Sequence, residues 1–461
     1  MKAIPLIVLL ALGGAPIYLF LTGTHTKLRI SPVEVLGHST PVKIEAANPH
    51  GTRLLLVAVE QDGKSYALPP VTSPTRRFLI ERHSPAANIT LNLGKQAAPA
   101  LHDGKARIVV SAVSNDLRAL ADTKSVDVEV MTAPPRVEVS SGAQHYINQG
   151  GAEMVVFTPA GAWTEAGVKV GDRVYAGFPL PDHPGQYFSL FAFPWDAPVD
   201  TPLSVVATNP TGATASASFP YKVFPKKFRA STIRLEEMHV ERIVNQIDPE
   251  GRIKGDMIER FVAINSQMRR ANNKVLADLR LQSEPRFLWS GAFLPMVDST
   301  VESRFADRRT YTWQGKKVDE QIHLGFDLAK VAHAPVPAAN DGKVLWAENL
   351  GIYGNCIVID HGFGLQTIYG HLSQFEVKKG DVVKKAQEIG RTGSTGLAGG
   401  DHLHFTMQVD GVQVNAVEWW DAHWIRDRIL SQTGQAMPES AMTPVRARRR
   451  GARAGRTSPP H

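Results

Sequence analysis

Cysteine is almost missing from this chain. Cys356 is the only one in 461 residues, which excludes an intramolecular disulfide, a cysteine-ligated zinc finger and a lipid-modified cysteine near the amino end. It sits in an apolar run, Cys356-Ile357-Val358-Ile359, where a free thiol reads as a small buried hydrophobe. No Gly-x-x-x-x-Gly-Lys phosphate loop occurs either. Acidic side chains are missing from the last stretch. Residues 441–461 hold Arg446, Arg448, Arg449, Arg450, Arg453 and Arg456 without one Asp or Glu, so this tail accounts for +6 of the formal net charge of +7. Rich in Arg, Gly, Ala and Pro, residues 431–461 are expected to be disordered.

Long hydrophobic runs are scarce beyond the first one. Lys2 is followed by an uncharged stretch from Ala3 to Thr26, rich in Leu, Ile and Val, and about 20 apolar residues suffice to span a bilayer. Residues 1–26 are therefore expected to be a membrane anchor or signal. A retained transmembrane helix is favoured because no small-x-small cleavage site ends the run, although Ala11-Leu12-Gly13 lies within it. The flanking charges, Lys2 against Lys27 and Arg29, orient it only weakly.

What is abundant is strand-like sequence. With 43% hydrophobic and 21% charged residues the chain is globular, and its length predicts about three domains. From 27 to 133, alternating runs such as KARIVVSAVS and KSVDVEV are separated by Asn48-Pro49, Asp62-Gly63 and Asp103-Gly104, a rhythm that predicts a β-sandwich. Pro134-Pro135 marks a boundary, and EMVVFTP, YFSLFAF and TPLSVVATN continue a second module over 134–225. Both modules read as immunoglobulin-like by strand count and turn rhythm, without the Cys-Trp-Cys hallmark. They read as spacers or substrate gates, or as binding modules. Residues 226–290 form a partly helical connector. From Asp256 to about Leu281, the residues Met257, Ile258, Phe261, Val262, Ile264 and Met268 fall at helical spacing, an apolar stripe that reads as core. Such a connector, packed on the domain that follows, would restrict access to it.

From 291 to 430, turn signals recur at Asp341-Gly342, Gly354-Asn355, Gly380-Asp381 and Asp410-Gly411, which predicts hairpins. Five residues there carry chemistry: His323 and Asp327 in HLGFD, His371 in IYGHL, and His402 and His404 in DHLHF. Successive strand side chains alternate faces, so His402 and His404 share one face and Leu403 the other. His323 and Asp327, four apart around Gly325, also share a face in extended structure. Two imidazoles and a carboxylate thus converge. Three such ligands suit Zn2+ with a fourth position open to water, and histidines that do not ligate are placed to move protons.

The stretch from Phe293 to Trp420 resembles the M23 peptidases, the lysostaphin-like or LytM-type zinc endopeptidases of peptidoglycan. The resembling segments are SRFADRR at 303–309, HLGFDLA at 323–329, NDGKVLWAENLGIYGNCIVIDHGFGLQTIYGHLS at 340–373, VKKGDVVKKAQEIGRTGSTG at 377–396 and HLHF at 402–405. The 377–390 part also resembles the hammerhead of lipoyl and biotinyl carrier domains, a likeness of β architecture in which the histidines have no role. The M23 resemblance implies an antiparallel β-sheet catalytic domain, His323, Asp327 and His404 as zinc ligands, and His371 and His402 as catalytic histidines. Arg308 and Tyr369, in matching motifs, are candidates for the substrate groove. Ala306 departs from the usual Gly, Asp401 from Pro and Ala416 from the Pro of VNP, and none of these removes a ligand. The implied substrate is the peptide stems of peptidoglycan, hydrolysed outside the cytoplasm by a membrane-anchored enzyme. For such an enzyme the Arg-rich tail reads as a contact for anionic envelope polymers or lipids, and no nucleic acid is expected. A silent or autoinhibited regulator of another wall hydrolase, or an envelope scaffold, is the alternative. His361, Trp419 and Trp420 read as structural.

Overall fold

A computed structural model describes residues 23–74, 83–140 and 142–433. Most of the expected anchor, 1–22, and nearly all of the expected disordered tail, 434–461, lie outside the described residues. Among the described residues no helix is long and apolar enough to cross a membrane. The chain divides into two compact units: Met1–Val137 with Pro159–Ala166 and Val206–Ser216, and Glu138–Thr158 with Gly167–Val205 and Ala217–His461.

The first unit is built on alternation. In Gly104–Ser114 every second side chain, Ala106, Ile108, Val110 and Ala112, is buried, as a sheet with one wet face requires. That strand pairs with Thr52–Gln61 on one side and Ala121–Val130 on the other. A separate sheet joins Lys27–Ile30, Thr40–Ala47 and Ala87–Leu93. Val42 and Ile44 from the smaller sheet share one core with Val57, Ile108 and Val110 from the larger. The result is two sheets packed on one core. The strand orders do not establish the expected immunoglobulin-like type.

The strands of the second module form further sheets, among them Ala152–Ala160 paired antiparallel with Tyr187–Ala192, and His145–Asn148 paired parallel with Tyr221–Phe224. After them the chain turns helical. Residues 257–282 run as one helical rod, α from Met257–Ala263, a π turn at Ile264–Met268, α again at Arg269–Asp278 and a 3-10 end at Leu279–Gln282. Asp256 starts it with a capping box, accepting from the Glu259 amide while Glu259 accepts from its own. A second helix, Glu237–Ile247, precedes it and buries Val240, Ile243 and Val244. Its side-chain cap is missing, so its start carries no sequence signal. Phe261, Ile264, Leu276 and Leu279 join Cys356, Val358 and Ile368 in one core. The connector thus shares a core with the sheet that follows it. Cys356 is buried within it, and burial pushes its thiol up from its ordinary value.

Residues 291–430 are built on an eight-stranded sheet in which Phe326–Ala329 and Leu365–Leu372 flank Leu403–Val409 on either side. Beside it lies a sheet of Ala230–Arg234, Asp307–Trp313 and Lys316–His323. At its end the helix Ala416–Trp420 places Glu418 against the second module. The side-chain amide of Asn148 donates to Glu418 Oε1 at 2.7 Å and the Ala152 amide to Oε2 at 2.9 Å. A Cβ on Gly151 would stand 2.5 Å from both oxygens, so glycine is what lets the carboxyl approach. Glu153, also fully buried, adds like charge.

Burial, with Glu153 beside it, pushes the Glu418 carboxyl up to about 7. A folded-state value above the ordinary one means the folded chain holds this proton more tightly than the unfolded chain. The associated stability is present at low pH and lost as pH rises through about 7, on the order of 3 kcal/mol at most. Denaturation midpoints measured from pH 5 to pH 8 are expected to fall with pH, and Glu418→Gln is expected to flatten that fall. An unchanged slope in the variant contradicts the assignment.

Candidate metal centre and active site

Register brings the centre together. Asp327 stands directly opposite His404 across the sheet, and Gly370 stands opposite His404 on its other side. His402 precedes the same strand in an isolated bridge to Gly393, so the predicted alternation of His402, Leu403 and His404 holds, with Leu403 buried in packing. His323 ends its own strand, Lys316–His323, opposite Asp307. It meets Asp327 across a bend at Leu324-Gly325 and not along one extended strand, which corrects the spacing argument. Glycine is required at that bend: a Cβ on Gly325 would lie 2.6 Å from His404 Cε1 and 2.4 Å from Thr406 Oγ1.

Three atoms converge there. His323 Nε2 is 2.9 Å from Asp327 Oδ1 and 3.0 Å from His404 Nδ1, and His404 Nδ1 is 3.2 Å from Asp327 Oδ1. The tautomers follow from the surrounding acceptors. His323 Nδ1 faces the Arg304 carbonyl at 3.2 Å, to which it can only donate, leaving Nε2 as the inward lone pair. Thr406 Oγ1 donates to the Leu324 carbonyl, so it accepts from His404 Nε2 at 3.0 Å, leaving Nδ1 inward. Two imidazole lone pairs and a carboxylate oxygen, all buried, form a donor set that fits a divalent cation such as zinc.

His371 and His402 stand beside this trio. Their ring centroids are 4.9 Å apart, and His371 is 5.7 Å from His404 by the same measure. His371 Nδ1 donates to the Thr395 carbonyl at 2.8 Å and His402 Nδ1 to the Gly400 carbonyl at 2.9 Å. Each therefore keeps an Nε2 lone pair, that of His402 lying 3.4 Å from Asp327 Oδ1. Burial, then the neighbouring His402 and His404, holds His371 well below its ordinary value. Burial opposes charge on His402, but Asp327 outweighs it and lifts the imidazole. Burial disfavours charge on Asp327, yet the surrounding His323, His402 and His404 hold its carboxyl well below the usual range. His404 is lowered to about 4 by burial and by His323. His371 has a φ of 64°, a left-handed conformation uncommon for a side-chain-bearing residue and one that concentrates at functional sites.

The other candidates fall elsewhere. Arg308 is exposed, and its neighbour Arg309 lies on the opposite strand face. Arg309 donates to Asp327 Oδ2 at 2.6 Å and to Ser303 Oγ at 2.7 Å. It thereby fixes the carboxylate with Oδ1 turned inward. Tyr369 is buried against Phe405, its hydroxyl accepting from the Ala339 amide and from Thr367, and it does not line the cavity. Asp401 accepts from Thr392 Oγ1 at 2.5 Å and from the His333 amide, a structural tie. Ala306 adopts a φ of 60°, the conformation for which glycine is the ordinary choice. His361 is buried between the Asp341 carbonyl and Thr367, and Trp419 packs among Trp289, Phe293 and Trp424. Arg269, from the connector rod, lines the roughly 80 Å³ cavity at the centre, a contribution that the helical pattern alone could not place.

Arg309→Met is expected to weaken metal affinity by about 10–100-fold, the usual cost of removing the partner that orients a ligand, with Arg308→Met leaving it unchanged. Competitive chelator titration of the two variants reads this directly. Equal effects at both positions contradict the clamp.

Residues 321–416 match Peptidase family M23. The chain is 36% identical over 126 residues to the DD-carboxypeptidase/endopeptidase Mpg of Neisseria meningitidis, covering 27% of each chain. It is 43% identical over 126 residues to the peptidoglycan DD-endopeptidase ShyA of Vibrio cholerae, covering 26% of this chain and 28% of that one. The match thus spans about a quarter of the length of these relatives. Among solved structures, the catalytic domain of the prophage-encoded M23 protein EnpA from Enterococcus faecalis is 29% identical, over 27% of this chain and 94% of that one, with a TM-score of 0.24. The region that holds the candidate metal centre, residues 321–416, is a Peptidase family M23 domain.

Proposed function

We propose that this protein is a zinc-dependent endopeptidase that hydrolyses peptide cross-links of bacterial peptidoglycan in the cell envelope. The observation that carries the reading is the convergence of His323 Nε2, Asp327 Oδ1 and His404 Nδ1 beside two histidines whose Nε2 atoms are unengaged by carbonyls. The relative named as a peptidoglycan DD-endopeptidase, ShyA, supports the substrate class. When bound by the trio, zinc supplies Lewis acidity to polarise a carbonyl and acidify a water. The chain supplies the rest. His371 and His402, each oriented through Nδ1, take a proton from the attacking water and return one to the leaving amine. Arg309 holds Asp327 in its ligating orientation.

His404→Ala is expected to lose both zinc and turnover. His371→Ala and His402→Ala are expected to keep zinc and lose about 100-fold or more in kcat, the usual contribution of a positioned acid or base. Zinc analysis and muropeptide release on the same samples decide it, and full turnover in both proton-handling variants would defeat the mechanism.

One observation favours an autoinhibited enzyme as a second reading. The cavity at the centre is about 80 Å³ and is lined by Arg269 and Leu397 as well as by the histidines, too tight for a peptide. It adjoins a cleft of about 540 Å³ that shares Asp327, Arg309 and His402 with it. Asn272 accepts from the Ile352 amide and Asn273 from the Tyr353 hydroxyl, so the rod is fastened over the centre. The connector supplies core residues, and point substitution is the better probe than deletion. Under this reading Arg269→Ala raises kcat/KM on short soluble cross-linked peptides by about tenfold, a change of ~1.4 kcal/mol; a fall shows that Arg269 serves the substrate.

A further inference from the structure

Outside the metal centre, the second unit carries a groove of about 840 Å³, within the roughly 300–1,000 Å³ of ligand sites. Its rim holds four cations, Lys226, Lys227, Arg229 and Arg304, all exposed, and no acidic side chain lines it. Among the described residues none of the four makes an ion pair. The acid that Lys226 senses is the buried Glu418. Between the cations lie partly exposed rings of Phe228 and Trp420. Phe228 is held edge-on by Trp195 and Phe305, and Trp420 packs at a tilt against Phe326 and Phe405, so both rings are fixed in place.

Four like charges gathered without counter-ions repel one another, an arrangement an anionic ligand relieves. Fixed aromatic faces between the charges suit a ligand that alternates flat apolar faces with acid groups. We propose that this groove binds an acidic polysaccharide chain, its sugar rings against Trp420 and Phe228 and its carboxylates on the lysines and arginines. A flexible polypeptide polyanion would use the cations and leave the rings idle. The groove touches the centre at two points. Arg229 lines both the groove and the 540 Å³ cleft that reaches Asp327, and the Arg304 carbonyl is the acceptor for His323 Nδ1. All four cations lie outside residues 321–416, which match Peptidase family M23, so the site belongs to this chain's own architecture. It does not depend on the hydrolase reading.

The test uses the full chain with size-defined oligogalacturonate, measured by titration calorimetry at low and high salt. Neutral chito-oligosaccharide of equal length, polyglutamate and anionic phospholipid vesicles are the comparison probes. The expected result is binding of oligogalacturonate that weakens with salt, at least tenfold loss in the triple variant Lys226→Glu, Lys227→Glu, Arg304→Glu, and a separate loss in Trp420→Ala. The 441–461 arginines contribute equally to every protein compared, so the differences report the groove. Unchanged zinc content and melting midpoint show that the triple variant is folded; if it is not, Lys227→Glu alone is read instead. No binding, equal binding of polyglutamate or of the neutral sugar, preference for vesicles, or an unaffected charge-reversed variant each overturn the proposal.

Discussion

Asp327 is held from two sides, and the rest of the site is arranged around that. Its Oδ2 receives the Arg309 guanidinium and its Oδ1 faces the lone pairs of His323 and His404. A buried carboxylate is costly unless it is paired and hydrogen-bonded. Arg309 satisfies half of that requirement, and a cation between the three inward atoms satisfies the other half. Remove the guanidinium and the carboxylate is free to turn; fill the bend at Gly325 and His404 is displaced.

Backbone register delivers these groups. Asp327 and His404 face each other on adjacent strands, His323 arrives from a different sheet, and Arg309 comes from the strand paired with it. Each imidazole is set by a neighbouring main-chain carbonyl or, for His404, a threonine that is itself anchored to one. Such orientation fixes tautomers before any ligand arrives. The connector matters for the same reason. Its buried face completes the core under the sheet, while Arg269 reaches the cavity.

Much of this was legible in the sequence, and the failures have physical causes. The histidine set and Asp327 were readable because period-two alternation maps spacing onto faces, and the 257–282 rod because its stripe has a helical period. His323 and Asp327 were expected along one strand; Gly325 instead makes a bend, which spacing alone does not reveal. Arg309 gave no signal of its own, because which face of its strand meets Asp327 depends on the register with Lys316–His323, a property of the partner and not of the segment. Glu418 looks like any exposed helix acid until Asn148 and Ala152, some 270 residues earlier, enclose it. The helix Glu237–Ile247 lacks a side-chain cap and so gives no start signal. The anchor and tail lie mostly outside the described residues.

The central claim is that one zinc ion, held by His323, Asp327 and His404, enables hydrolysis of peptidoglycan cross-links. Mass spectrometry of the products released from purified sacculi by metal-stripped protein, before and after adding back one equivalent of zinc, tests it most directly. The account predicts no cross-link cleavage from stripped protein and its return, as separated peptide stems, at one zinc per chain. Cleavage by stripped protein, or none by protein shown to hold one zinc when sacculi and short soluble cross-linked peptides are both offered, would contradict it.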